Sequence, residues 1–309
     1  MQSALQRRLR PSADAFGDPA VCEHGAVAHP DAQRPIAVFD SGVGGLTVLH
    51  ELLVQLPHED FVYLGDTARF PYGDKSAEDL QRFALQIAER QITAGAKMLV
   101  VACNAATSAA LPALRALVAR AARGVDLVAV VEPESRLAVE ASLTGHVGLL
   151  ATPATVSSGA YANAVARLDS EIELTSVPCP DLAPIIQGGS PFDEALVDAV
   201  RSYCDPLRDA RVDTVILGCT HYPLIRPILQ RTLGRGVRLV FSGDVLAAEV
   251  ERRLAVHGLL NGGSVEGRYR FECTGDPDAF RALGTRFLQM PLGEVVHVEL
   301  DAALAASTR

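Results

Sequence analysis

The chain of 309 residues is long enough for one large or two ordinary α/β domains, and its apolar content is high enough to bury a sizeable core. Its formal net charge of −9 argues against general binding to nucleic acid or to an anionic membrane, both of which need a basic surface. No apolar run reaches the length of a membrane span and no secretory signal is recognisable, so we expect a cytoplasmic protein.

Residues 1–34 are rich in Ala, Pro, Asp and Arg and show no clear periodicity. This composition predicts a disordered extension. A translation start assigned too far upstream would give the same pattern, and nothing specific supports a targeting role. Ordered structure is predicted to begin at Pro35.

The first ordered segment is a short buried strand over residues 36–39, followed by the glycine-rich loop DSGVGGL over residues 40–46. Backbone N–H groups in such a loop, at the start of a helix, suit an anionic ligand. The loop is not a dinucleotide-binding fingerprint, because Thr47 stands where the third glycine belongs. A second strand over residues 60–64 leads into a polar loop, residues 65–73, and a helix is predicted around residues 80–87.

Two stretches have matching patterns: LVVACNAA at residues 99–106 and VILGCTHY at residues 215–222. In each, three apolar residues predict a buried strand, a small residue follows, and a cysteine stands where a parallel strand passes into a helix. Ligands bind at that edge of open α/β sheets. A single such cysteine is more often a core residue. Two in matched contexts, Cys103 and Cys219 with His221 beside it, favour two similar halves that share a cleft.

The remaining segments repeat this organisation. A strand over 127–131 ends the first half. In the second half, a strand over 147–152 and the loop after it correspond to residues 36–45 of the first. A helix, a strand over 171–177, the break at Pro178-Cys179-Pro180 and a helix over 192–207 then lead to the second cysteine. A strand around 239–242 and a helix over 245–257 follow, and residues 269–300 read as strand, helix and strand.

These elements predict an α/β fold of two pseudo-symmetric, doubly wound parallel-sheet domains, with the active site in the cleft between them. The first domain is expected to contain residues 35–131 and 242–309, so that the C-terminal segment returns to it. The second domain is expected to contain residues 132–241.

Two matched thiols suggest a redox disulfide, a metal site, or a paired acid and base. Redox pairs are usually closer in sequence, and no CxxC pair or zinc-like spacing occurs among the six cysteines. Two thiols on opposite sides of a bound molecule could instead remove a proton from one face of a carbon and deliver one to the other. We expect a helix N-terminus or a nearby cation to lower the pKa of each thiol, with His221 assisting Cys219 and Asp40 assisting Cys103.

The motifs DSGVGGL (40–46), GDTAR with PYG (65–73), ACN (102–104) and LGCTHYPL (217–224) closely resemble those of glutamate racemases. The resemblance runs from about Pro35 to Leu300 and includes TGDP at 274–277. It implies interconversion of L- and D-glutamate without pyridoxal phosphate or metal, so no cofactor is expected. It also implies supply of D-glutamate to peptidoglycan, with glutamate and a second copy of the chain, as a homodimer, as the expected partners.

By this resemblance, Cys103 and Cys219 are the acid/base thiols and Asp40 and His221 are their auxiliary catalytic groups. The resemblance implies that the substrate is held by Asp40, Ser41, Tyr72, Gly73, Asn104, Ala105, Thr152, Thr155, Thr220 and His221.

The sequence departs from the family pattern at two positions. Ala105 replaces the usual Thr or Ser and so lacks a hydroxyl, and Gln187 replaces a Glu that many members have near His221. An aspartate or other amino-acid racemase of the same fold would share both cysteines. A non-catalytic amino-acid-binding protein is a further alternative, which the loss of a cysteine would favour; both cysteines are present.

Overall fold

The computed structural model describes residues 29–121, 124–188 and 193–300, without the side chain of Asp244. Within these ranges the strands are β1 (Ile36–Asp40), β2 (Phe61–Gly65), β3 (Met98–Val101), β4 (Asp126–Ala129), β5 (His146–Ala151), β6 (Glu173–Pro178), β7 (Thr214–Gly218), β8 (Arg238–Val240), β9 (Tyr269–Cys273) and β10 (Val295–His297).

The helices of the described ranges surround these strands. They are α1 (Leu46–Gln55), α2 (Ala77–Thr93), α3 (Asn104–Arg120), α4 (Val131–Ala141), α5 (Pro153–Ser157), α6 (Ala160–Leu168), α7 (Leu182–Gly188), α8 (Glu194–Asp209), α9 (Arg226–Leu233), α10 (Gly243–Val256) and α11 (Pro277–Leu288). Two short 3₁₀ helices occupy Thr67–Arg69 and Tyr222–Ile225.

Two parallel sheets organise the described chain, which confirms the predicted fold class. The first has the strand order β10-β9-β2-β1-β3-β4, and the second has the order β6-β5-β7-β8. Each contains the same four-strand unit, because β2-β1-β3-β4 corresponds to β6-β5-β7-β8. The C-terminal strands extend the first sheet, with β9 paired to β2 and β10 paired to β9.

The register of each sheet brings the ends of its two central strands together. In the first sheet Phe39 pairs with Val101, so the residues after β1 and β3 emerge at one edge. In the second sheet Ala151 pairs with Gly218, so the residues after β5 and β7 do the same. The central strands β1, β3 and β7 are buried along their whole length, as their unbroken apolar runs predict.

The first passage between the sheets differs from the prediction. The strand predicted over 127–131 ends at Ala129, and α4 begins at Val131 with Pro133 in its first turn. Proline is tolerated there because the first turn of a helix has N–H groups without intrahelical partners. The proposed domain limits, at 131/132 and 241/242, fall in α4 and just before α10 and stay a prediction.

The predicted disorder of residues 1–34 is wrong for residues 29–34, whereas residues 1–28 lie outside the described residues. Ala32 is buried, and its carbonyl accepts a hydrogen bond from the buried Lys97 ammonium. Arg34 donates to the carbonyls of Gly95 (2.7 Å) and Ala96 (2.6 Å). These contacts use isolated side chains and backbone groups, which leave no periodic signal in the sequence.

Among the described residues, none of the helices combines the length and the apolar character needed to cross a membrane.

Candidate active site

A cavity of about 280 Å³ is lined by residues that follow central strands of both sheets. This volume lies just below the range of about 300–1,000 Å³ that is typical of ligand pockets, so it suits a small molecule. The predicted site residues that line it are Ser41, Tyr72, Gly73, Cys103, Asn104, Ala105, Thr152, Cys219, Thr220 and His221. The two predicted residues that do not line it, Asp40 and Thr155, lie directly behind residues that do.

Asp40 ends β1 and is completely buried. One carboxyl oxygen accepts a hydrogen bond from the Gly42 N–H (3.1 Å), and the other accepts from the Thr220 hydroxyl (3.3 Å). Burial raises the pKa of this carboxyl above its ordinary value. Asp40 therefore links the loop of the first sheet to the residue that follows Cys219 in the second sheet.

Thr155 lies behind Thr152, which lines the cavity. Thr152 is the N-cap residue of α5, where its side-chain oxygen accepts from the Thr155 N–H, and the two hydroxyls lie 3.0 Å apart. Thr155 is buried, so it orients the Thr152 hydroxyl at the cavity wall.

Cys103 is the N-cap residue of α3, and its sulfur accepts a hydrogen bond from the Ala106 N–H at 3.4 Å. The predicted helix start is confirmed, but the predicted lowering of the pKa is wrong. Burial, followed by the negative charge of Asp40, raises the pKa of the Cys103 thiol to about 12. The loss of hydration outweighs the helix N–H groups, so the thiol is protonated at neutral pH while the cavity holds no cation.

Cys219 follows β7 directly and precedes the 3₁₀ helix at Tyr222–Ile225 rather than the N-terminus of an α-helix. Its sulfur lies 3.8 Å from His221 Nδ1. Burial raises the pKa of this thiol well above its ordinary value, although the His221 backbone N–H lowers it in part. Here too the predicted lowering of the pKa is wrong, for the same physical reason.

His221 is a buried, neutral imidazole. Burial, with a smaller effect of the positive charge of Arg286, lowers its pKa to about 3. Its Nε2 lies 3.0 Å from Gln187 Oε1, and its ring packs between Phe70 and Phe287, with centroid distances of 5.5 and 5.1 Å. An Nε2–H that donates to Gln187 leaves Nδ1 unprotonated beside the Cys219 sulfur, where it can accept the thiol proton.

Two glycines permit the close approach of the two halves. A Cβ atom at Gly44 would overlap the Thr220 hydroxyl and would lie 2.5 Å from His221 Nδ1. A Cβ atom at Gly73 would lie 2.8 Å from Thr152 Cβ. Both positions therefore need glycine because a residue of the other half lies against them.

Tyr72 lines the cavity, but its hydroxyl is already engaged. The hydroxyl donates to the buried carboxylate of Asp66, which also pairs with Arg69 (2.6 Å). The part of Tyr72 available to a ligand is thus the ring and backbone rather than the hydroxyl.

Sequence reasoning missed part of the cavity wall. Pro180, Ala183 and Pro184 line it, and the last two belong to α7, which was not predicted. The prolines of this segment predict only a break in the chain. Phe70 also lines the cavity, and only its place in the loop after β2 pointed to it.

The other described cysteines lie outside the cavity. Cys179, Cys204 and Cys273 are buried and free, and Cys22 lies outside the described residues. Within the described ranges no three side chains of His, Cys, Asp or Glu lie close enough together to hold a metal ion.

The comparisons with known proteins agree on one family. A family model described as Asp/Glu/Hydantoin racemase matches residues 46–250. A glutamate racemase of Corynebacterium kroppenstedtii is 41% identical over 284 residues, which cover 86% of this chain and 97% of that protein. A solved glutamate racemase isoform of Bacillus anthracis is 34% identical, with a TM-score of 0.82 over 87% of this chain and 98% of that one. A glutamate racemase of Francisella tularensis, solved in complex with D-glutamate, has the same TM-score at 33% identity and covers 88% of this chain and 99% of that one.

Proposed function

The chain belongs to the glutamate racemases of the Asp/Glu/hydantoin racemase family, and from this premise we propose that Cys103 and Cys219 carry out the proton transfers. The observation that supports this best is the position of the two thiols. Each follows a central strand of its own sheet, and both open on one cavity. Such a pair can address opposite faces of the Cα of a bound glutamate, which is the geometry that inversion requires.

The raised pKa values of both thiols determine how the reaction begins. Each thiol is protonated in the free enzyme, so a base must take its proton before it can act on Cα. The Asp40 carboxylate serves Cys103, and the neutral His221 imidazole serves Cys219. The ammonium group of the substrate favours the thiolate by bringing a positive charge into the buried cavity.

The two thiols then act in sequence. The thiolate on one side takes the Cα proton, and the thiol on the other side donates its proton to the opposite face of the carbanion. The reverse reaction exchanges the two roles. We propose that no pyridoxal phosphate or metal ion takes part.

The predicted substrate-binding residues divide by the groups that they offer. Ser41, Thr152 and Thr220 provide hydroxyls, Gly73 provides backbone, and Asn104 provides a side-chain amide. Tyr72 offers its ring and backbone, and Ala105 offers a methyl group at the cavity wall. Asp40 orients the Thr220 hydroxyl, and Thr155 orients the Thr152 hydroxyl. This set suits a small molecule with two carboxylates and one ammonium group.

We further propose that the enzyme supplies D-glutamate for peptidoglycan synthesis in the cytoplasm, and that it acts as a homodimer. Light scattering of the purified protein tests the dimer. A mass of about one chain at all concentrations would contradict it.

Circular dichroism tests the reaction. Purified enzyme, treated with a chelator and given no cofactor, should drive L-glutamate to a racemic mixture and leave L-aspartate unchanged. Faster racemisation of L-aspartate would contradict the assignment of glutamate as the substrate.

The roles of the thiols are tested with Cys103→Ser and Cys219→Ser in deuterium oxide. Serine is a far weaker base, so both changes should reduce racemisation at least hundredfold. Deuterium should enter mainly one enantiomer in each variant, and the favoured enantiomer should differ between the two. Equal incorporation into both enantiomers in both variants would contradict the two-base mechanism. Cys204→Ser, a change of a buried cysteine outside the cavity, is the control.

A further inference from the structure

A buried carboxyl group lies behind the cavity, where the chain passes from the first sheet to the second. Glu134 belongs to α4 and is fully buried. Its Oε2 accepts hydrogen bonds from the Tyr161 hydroxyl and from Asn104 Nδ2 (3.1 Å). The three residues come from α3, α4 and α6, so the network joins both halves of the molecule.

The network fixes the orientation of the Asn104 amide. Asn104 Nδ2 donates to Glu134 and also to the Tyr161 hydroxyl (2.7 Å), so both of its N–H groups point into the network. Asn104 Oδ1 is buried and has no hydrogen-bond partner among the described residues. Because Asn104 lines the cavity next to Cys103, Oδ1 is the polar atom of its side chain that the network leaves for a hydrogen-bond donor.

We propose that Glu134 is a positioning residue for amino-acid binding, which holds the Asn104 amide so that its Oδ1 receives the ammonium group of the substrate. This inference rests on the proposed function. A buried acceptor without a partner is costly, and an ammonium donor would satisfy it. A flipped amide would instead bring Oδ1 against the ionised Glu134 carboxylate, where two acceptors repel, so the ionised form of Glu134 selects one orientation.

The charge state of Glu134 changes the strength of the hydrogen bonds that orient the Asn104 amide. The groups that face the carboxyl are the Tyr161 hydroxyl, the Asn104 amide and the Ser242 hydroxyl, and its Oε1 is buried without a hydrogen-bond partner among the described residues. Burial raises its pKa to about 8, against which these hydrogen bonds act in part. The ionised form binds the Asn104 N–H groups more strongly than the neutral form. Affinity for glutamate should therefore rise as the pH rises through about 8.

Folding stability should follow the opposite trend. A carboxyl whose pKa is higher in the folded state keeps its proton where the unfolded chain has lost it. Its contribution to stability is complete below the ordinary pKa of Glu and is lost as the pH rises towards and through about 8. The two opposing trends share one titrating group, so both should disappear in Glu134→Gln.

The test compares Glu134→Gln and Glu134→Leu with the wild type. The Kd of glutamate, titrated as the racemic mixture that the enzyme leaves unchanged, is measured by calorimetry, and kcat and KM are measured from pH 6.5 to 9. In Glu134→Leu the amide loses its acceptor, so Kd and KM should rise about tenfold while kcat changes less than threefold. In Glu134→Gln an acceptor remains, so KM at pH 7 should stay within threefold and the inflection near pH 8 should vanish.

Glu132→Gln is the matched control. Glu132 lies two residues earlier on α4, but its carboxylate is half exposed and pairs with Arg115 (2.9 Å). This variant should keep the pH profile of the wild type. If Glu134→Leu does not fold, Glu134→Gln alone decides the question.

An inflection near pH 8 that persists in Glu134→Gln, or an unchanged Kd in folded Glu134→Leu, would overturn the inference. A wild type that bound glutamate without racemising it would contradict the proposed function, and the Kd values would still decide the role of Glu134. A wild type that did not bind glutamate would contradict both.

Discussion

The two sides of the cavity place a cysteine at equivalent points of two similar sheets but surround it differently. Cys103 caps α3 and lies near the carboxyl of Asp40. Cys219 precedes a 3₁₀ helix and lies 3.8 Å from the imidazole of His221. Both thiols are buried, and burial raises the pKa of both.

The difference lies in the neighbouring base. A carboxylate beside Cys103 disfavours the thiolate by its charge, but it can accept the thiol proton. A neutral imidazole beside Cys219 accepts the proton and carries no negative charge of its own, although the charge of Asp40 also raises the pKa of Cys219. Asp40 is not confined to the first side, because it also bonds to the Thr220 hydroxyl next to Cys219. The proposed mechanism therefore makes Asp40 the more sensitive of the two auxiliary groups.

The largest effect is expected from Asp40→Asn. The change keeps an oxygen that can accept from Gly42 or Thr220, but it removes the base that takes the Cys103 proton. We expect kcat to fall about a hundredfold, the lower range of a general base, with the melting temperature nearly unchanged. Racemisation followed by circular dichroism measures it, and Asp60→Asn, far from the cavity on the surface loop before β2, is the control. A loss of less than tenfold would mean that Asp40 only anchors the loop.

The sequence predicted those features of the two sides that depend on residues close together in the chain. Apolar triplets before Cys103 and Cys219 predicted two buried strands, and the register of parallel sheets brings their ends to one edge. The glycine-rich loop, the twin sheets and the ten cavity-lining positions followed from such motifs and from the resemblance built on them.

Other features depend on contacts between distant segments and left no local signal. Burial, which decides the pKa of each thiol, is a property of the packed structure, so the expected helix effect was outweighed. The bond between His221 and Gln187 joins α7 to the segment after β7, and only the resemblance, not the local sequence, indicated that these residues are neighbours. The network of Glu134, Tyr161 and Asn104 joins three helices, and nothing in the sequence around Glu134 distinguishes it from a surface residue.

Ala105→Thr changes the Cys103 side by restoring a hydroxyl. Ala105 lines the cavity, whereas Thr107 does not, and the Thr107 hydroxyl points to the Val101 carbonyl (3.5 Å). Thr107 therefore does not replace the missing group. One hydrogen bond to a charged substrate contributes about 1.5–3 kcal/mol, and about 1.4 kcal/mol corresponds to tenfold in affinity. We expect KM for glutamate to fall about tenfold.

Ala105→Val separates the hydroxyl from its added volume, because valine has the shape of threonine without the donor. KM should rise or stay the same in this control, since the extra methyl group only crowds the cavity. Unchanged KM and kcat in both variants would show that position 105 does not touch the substrate.

The smallest effect at neutral pH is expected from Gln187→Glu, which changes only the Cys219 side. A carboxylate about 3 Å from His221 Nε2 favours the imidazolium, and an opposite charge at such range typically raises a pKa by about 1–3 units. The pKa of His221 should rise from about 3 towards its ordinary value. At pH values above the raised pKa the imidazole is still neutral, so kcat at pH 8 should change only a few-fold. At pH values below this pKa the imidazolium can no longer accept the Cys219 proton, so kcat should fall on an acid limb that the wild type lacks above pH 5.

Gln187→Met is the control, because methionine has a similar length but no hydrogen-bonding group. It frees the imidazole tautomer, so kcat should fall at all pH values without that acid limb. If the profiles of Gln187→Glu and the wild type coincide from pH 5 to 8, His221 does not take the Cys219 proton, and the difference between the two sides lies in Asp40 alone.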